Sequence, residues 1–86
     1  MSAAVIMYST RFCPYCMAAR RLFAAKDVAY EDIGVDGDPD LRREMTERAG
    51  QRTVPQIWIG DRHIGGFTEL AALEQQGELD RILAGD

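Results

Sequence analysis

Residues 4–23 read AVIMYSTRFCPYCMAARRLF, and their pattern changes period halfway along. Ala4 to Tyr8 is a short continuous apolar run that stops at Ser9-Thr10, as a buried strand does. From Tyr15 the spacing is helical. Tyr15, Ala18, Ala19, Leu22 and Phe23 fall at i, i+3, i+4, i+7 and i+8, the stripe of an amphipathic helix. Pro14 sits just inside that helix, where its missing N–H costs nothing. Val28, Tyr30 and Ile33 then mark a second β-prone stretch. Residues 4–33 therefore predict a βαβ unit with two parallel strands.

The rest of the chain adds four elements. Asp38 is a good N-cap and Pro39 a good first helical residue; Leu41, Met45 and Ala49 form the buried stripe, and Gly50 is a natural stop. Gln56-Ile57-Trp58-Ile59 reads as a strand. Gly60-Asp61 is a hairpin turn signal, Arg62-His63-Ile64 the returning strand, and Gly65-Gly66 its break. Leu70 and Leu73, then Leu79, Ile82 and Leu83, mark two short helices separated by Gly77. The expected order is β-α-β-α-β-β-α-α, an α/β fold with one mixed four-stranded sheet flanked by helices. Trp58 is expected in the core and His63 on the hairpin surface.

With 86 residues, the chain has room for one core, so residues 1–86 are expected to form a single domain. Apolar residues at 47% and charged residues at 28% exclude a disordered composition. The longest apolar run, Ala3 to Tyr8, is far below the roughly 20 residues of a membrane span. No basic region precedes a long apolar stretch at the N-terminus, so no signal peptide is expected and the cytoplasm is the expected compartment. A net charge of −4 counts against nucleic-acid binding. The charge is uneven: residues 1–26 carry +4 and no acid, residues 27–86 carry −8.

The basic segment holds both cysteines, Cys13 and Cys16, spaced C-x-x-C. A structural zinc site usually needs four ligands, and the chain has no second C-x-x-C and one histidine, so no metal is expected. A C-x-x-C near a βαβ pattern reads as a redox pair. Two inert buried cysteines, or half of a metal site shared by two chains, are the alternatives. Cys13 falls at the N-cap of the first helix, where free N–H groups and the helix dipole favour an anionic sulfur, and Arg11 adds positive charge. Cys16 lies inside the helix and receives less of this help. Cys13 is thus expected to attack and Cys16 to resolve.

Two further segments bear on the same region. Pro55 in Thr53-Val54-Pro55 is either strand punctuation or the site of a cis peptide, which would leave the backbone groups of Val54 free to pair with an extended peptide. Gly65-Gly66-Phe67-Thr68 is either a plain helix entry or a helix N-terminus able to take a carboxylate.

Together, Cys13-Pro14-Tyr15-Cys16, Thr53-Val54-Pro55 and Gly65-Gly66 resemble the dithiol glutaredoxins of the small bacterial kind, in order and spacing from Val5 to Leu83. The resemblance implies a thioredoxin-like fold, a cis Pro55, and glutathione-dependent reduction of glutathione mixed disulfides and protein disulfides. By the same resemblance, Cys13 carries the mixed disulfide with glutathione. Tyr15 flanks the groove with an exposed ring, and Thr53, Val54 and Pro55 form one wall, Val54 pairing with the cysteinyl unit. The N–H groups of Phe67 and Thr68, beside Gly66 and with the Thr68 hydroxyl, hold the γ-glutamyl carboxylate. Arg52 lies near the glycine carboxylate, and Arg42 stands on the neighbouring helix face. It further implies a monomer that uses glutathione as reductant, with glutathionylated or disulfide-bonded proteins, ribonucleotide reductase among them, as partners.

The chain departs from the family pattern at two places. Many relatives have an acidic residue at the position of Thr68 and a cysteine at that of Phe67; Thr68 cannot pair with an ammonium. Many also have Lys where this chain has Thr10, so Arg11 supplies the charge instead. Competing readings are a related protein reduced by thioredoxin reductase, an iron–sulfur carrier shared between two chains, and a scaffold with inert cysteines.

Overall fold

The computed structural model describes residues 2–85. The elements are β1 (Val5–Ser9), α1 (Pro14–Ala25), β2 (Glu31–Gly34), α2 (Pro39–Ala49), β3 (Gln56–Ile59), β4 (Arg62–Gly65), α3 (Phe67–Gln75) and α4 (Leu79–Leu83). They follow the order read from the sequence. The sheet runs β2-β1-β3-β4, with β1 parallel to β2 and antiparallel to β3, and β3 antiparallel to β4.

Alternation along the central strands builds a core on each face. Val5 and Met7 of β1, with Ile57 and Ile59 of β3, face one side and meet Ala19 and Phe23 of α1, Leu70 of α3 and Leu79, Ile82 and Leu83 of α4. Tyr8 and Trp58 face the other side and meet Met45 of α2 and Val35. Strand β3 is buried at all four positions because helices cover both of its faces. Among the described residues, no helix is long and apolar enough to cross a membrane.

Three sequence expectations need correction. The second strand is shorter than Val28–Ile33. Helix α1 closes with Asp27 in the left-handed region (φ 56°), and the Val28 N–H bonds back to the Phe23 carbonyl at 3.0 Å. Val28 and Tyr30 then pack against the core without joining the ladder. Gly65 does not break β4; it ends the strand opposite Ile57, at a bulge. The buried face of α1 is Cys16, Ala19 and Phe23, and Tyr15 lies off it with 62% of its surface exposed. An exposed Tyr15 is what the family resemblance implies; Cys16, in its place, opens the apolar stripe.

Candidate active site

The site lies where the chain leaves β1. Arg11 and Phe12 form a turn, and Cys13 caps α1 with extended backbone (φ −84°, ψ 119°). Pro14 at the first helical position removes an N–H that would have no partner. The next free donors face the cap, and the Cys16 N–H donates to Cys13 Sγ at 3.4 Å. Cys13 Sγ also lies 3.7 Å from the Val54 carbonyl oxygen, so the thiol reaches the loop before β3. The residues around it are open: Phe12 is 84% exposed.

The two thiols are free and differ in environment. Cys13 is partly exposed, whereas Cys16 is fully buried. Burial pushes the Cys16 thiol up to about 11; the Thr10 backbone N–H opposes this, proximity to Cys13 adds to it, and the Arg20 charge offsets a further part. One sulfur is thus presented to a ligand and the other held protonated behind it.

Beside Cys13 runs a groove lined by Tyr15, Gln51, Thr53, Val54, Pro55, Gly66, Phe67, Thr68 and Glu69. The peptide between Val54 and Pro55 is cis, as the resemblance implies. The groove brings together seven of the residues expected from the sequence. Arg11 and Arg52 are not in its lining. The Arg11 side chain is 77% exposed, and its Nε lies 3.8 Å from Asp36 Oδ2 on the far side of the Cys13 loop. Arg52 is exposed just outside the groove, its carbonyl taking a hydrogen bond from Arg42 Nη2 at 3.2 Å.

Gln51 and Glu69 line the groove without having been expected there. Glu69 carries a readable signal: it stands three residues after the helix N-cap Gly66, and its Oε1 accepts the Gly66 N–H at 2.7 Å. Gln51 carries none, since its place is set by the loop that β3 anchors. That loop is tied from beneath by the buried Gln56, whose Nε2 donates to the Thr53 carbonyl at 3.0 Å and to Thr53 Oγ1 at 3.2 Å. Because a carbonyl only accepts, the amide nitrogen of Gln56 must face Thr53, leaving Oε1 toward His63 Nε2 at 2.8 Å. His63 stacks on Trp58, ring centres 4.6 Å apart, and so stays at the hairpin surface as expected. Among the described residues, no cluster of three His, Cys, Asp or Glu side chains is placed to hold a metal.

Comparison with known proteins agrees with this arrangement. The family model described as Glutaredoxin matches residues 5–64. A glutaredoxin of Pseudomonas aeruginosa is 49% identical over 80 residues, which span 93% of this chain and 95% of that protein. The solution structure of a glutaredoxin from Brucella melitensis is 44% identical and superposes with a TM-score of 0.85, covering 96% of this chain and 90% of that one. The crystal structure of a buckwheat glutaredoxin–glutathione complex superposes with a TM-score of 0.86 at 30% identity, covering 94% of this chain and 76% of that one. The fold is thioredoxin-like, and a cysteine pair at the start of α1 beside a groove is the centre of a thiol–disulfide oxidoreductase. On fold, motif order and sequence identity alike, the chain belongs to the glutaredoxin family, as a dithiol member of the small bacterial type.

Proposed function

We propose that the protein reduces glutathione mixed disulfides and protein disulfides with glutathione as the reductant, Cys13 as nucleophile and Cys16 as resolving thiol. The observation that carries the reading is the unequal placement of the two cysteines: Cys13 is partly exposed, its Sγ receiving the Cys16 N–H and lying 3.7 Å from the carbonyl of Val54 in the groove wall, while Cys16 is buried. The thiolate is the form that attacks disulfides, and of the two sulfurs Cys13 is the one within reach of a ligand.

In the first reaction, the Cys13 thiolate attacks the glutathione sulfur of a glutathionylated protein. The Cys13–glutathione bond forms, the old disulfide breaks, and the protein sulfur leaves with the electron pair and takes a proton from water. A second glutathione thiolate attacks the bound glutathione sulfur, releasing glutathione disulfide and Cys13. With a protein disulfide, Cys16 displaces the substrate from Cys13, and two glutathiones reopen the Cys13–Cys16 bond. Family potentials of about −200 to −230 mV lie close to the glutathione pool, so direction follows supply.

The groove suits an extended tripeptide. Val54 offers its backbone groups, Tyr15 its exposed ring, and the first N–H groups of α3, at Phe67 and Thr68, face a carboxylate with the Thr68 hydroxyl. Arg52 and Arg11 stand outside the lining, Arg11 paired with Asp36, and contribute only long-range positive charge. The buckwheat relative, solved with glutathione, supports this use of the groove. The reading carries with it a reducing compartment, the cytoplasm, a monomeric enzyme, and disulfide-bonded proteins such as ribonucleotide reductase as partners.

The test couples the reaction to glutathione, glutathione reductase and NADPH. Cys16→Ser keeps deglutathionylation and loses reduction of protein disulfides; Cys13→Ser loses both. An active Cys13→Ser protein would reverse the assignment.

A further inference from the structure

His63 stands on the exposed hairpin, yet its ring reaches the wall of the groove through one buried side chain. Gln56 opens β3 with no exposed surface, and its amide has neighbours at both ends. At one end Nε2 donates to the Thr53 carbonyl at 3.0 Å, with Thr53 Oγ1 at 3.2 Å and Gln51 Oε1 at 3.4 Å. At the other end Oε1 meets His63 Nε2 at 2.8 Å. Gln51 and Thr53 line the groove, and His63 does not. The Thr53 carbonyl only accepts, so Gln56 presents its NH2 there, and His63 Nε2 must carry a proton to serve the oxygen that is left. Turned over, the amide would set its oxygen against that carbonyl. The His63 ring is itself held for the contact: it pairs with Trp58 across β3 and β4 and stacks on the indole, ring centres 4.6 Å apart and planes 26° from parallel.

We propose that His63 is a positioning residue for the groove: by donating to Gln56 Oε1 it fixes the one amide orientation in which Gln56 ties residues 51 and 53, and so holds the Thr53–Val54 wall ready for the tripeptide. The role rests on the reading of that groove as the glutathione site. It asks for a donor at position 63, not for an aromatic ring or a charge. A buried amide oxygen left without a partner loses its preference for one orientation, and the loop it braces is then ordered only when the ligand binds. The cost falls on binding and not on the exchange between sulfurs, which takes place at Cys13.

Gln and Met are close in size and both neutral, so His63→Gln and His63→Met differ mainly in whether a donor faces Gln56. The assay uses a glutathionylated peptide coupled to glutathione, glutathione reductase and NADPH. His63→Met is expected to raise KM for the peptide about threefold with kcat within about twofold of the parent, and His63→Gln to keep KM within about 1.5-fold of the parent. Gln56→Met removes the tie itself, and adding His63→Met to it should raise KM no further, because His63 acts only through that amide. In proton–nitrogen spectra, the backbone amide signals of Gln51, Thr53 and Val54 should differ between the two His63 variants, with His63→Gln the nearer to the parent. Equal KM in His63→Gln and His63→Met, additive effects in the double variant, or loop signals that do not tell the two His63 variants apart would overturn the proposal. If the loop signals separate as expected while the parent itself fails to turn over the glutathionylated peptide, the glutathione reading falls and the brace on the loop stands.

Discussion

Cys16 has no exposed surface, and a sulfur in that position ionises only at the expense of its solvation. Two measurements follow from this. In the reduced, folded protein at neutral pH, iodoacetamide modifies Cys13 and spares Cys16, and peptide mapping reads the sites directly. The second is a pH dependence of stability. The folded state holds the Cys16 proton up to about 11, whereas the unfolded chain releases it near the ordinary thiol value of about 8.5. A thiol pKa raised by folding stabilises the protein fully below the unfolded value, and that contribution is lost as pH rises toward the folded value. Reduced protein should therefore lose about 3 kcal/mol between about pH 8.5 and pH 11 from this group alone. Tyr8 and Lys26 also have values raised from the ordinary range, so the comparison is with Cys16→Ala, in which this share of the slope disappears from urea midpoints across the same range. An identical slope in the two proteins would mean that Cys16 is not protected as its burial requires.

At the scale of elements, reading from sequence succeeds where period and caps are local and fails where a neighbour decides. The Asp38 cap, whose side chain accepts the Leu41 N–H, and the left-handed stop at Gly50 were both legible, because each is settled within one turn of chain. The start of β2 was not, because it depends on how α1 closes over Phe23. Gln51 in the groove was equally hidden, since its loop is placed by the side chain of the buried Gln56, the first residue of the strand that follows. Gly65 and Gly77 separate the two kinds of constraint experimentally. Both have positive φ, 110° and 74°, but a Cβ on Gly77 meets nothing within 4 Å, whereas one on Gly65 would stand 2.8 Å from Glu69 Oε1. Gly77→Ala should cost about 1–2 kcal/mol, from backbone conformation alone, and leave the kinetics as they are. Gly65→Ala should cost about 3 kcal/mol, combining an unfavourable backbone with a displaced Glu69. It should also raise KM for the glutathionylated substrate, because Glu69 must release the Gly66 N–H at the head of α3. Equal losses in the two variants, by urea unfolding, would dismiss the contact with Glu69 as a cause.

For the molecule as a whole, the question is whether its two cores are one cooperative unit. They lie on opposite faces of the sheet but share strands residue by residue: Met7 feeds one core and Tyr8 the other, as do Ile57 and Trp58. Opening either face exposes β1 and β3, and with them the inner wall of the other core. An 86-residue domain of ordinary stability holds about 4–13 kcal/mol. Phe23 and Met45 are each fully buried, one in each core. Truncation to alanine should cost about 3–5 kcal/mol for Phe23 and about 2–5 kcal/mol for Met45. Sharing of strands predicts that each variant lowers the urea midpoint with an unchanged slope, that tertiary and secondary structure signals lost on unfolding coincide, and that the double variant is largely unfolded in buffer. If Met45→Ala instead gave a shallow or two-step curve, with the Phe23 side intact through the first step, the α2 face would be a separable unit. The Gln56 bracket beneath the groove would then loosen before the cysteine pair does, and binding would fail at lower urea than alkylation of Cys16 begins.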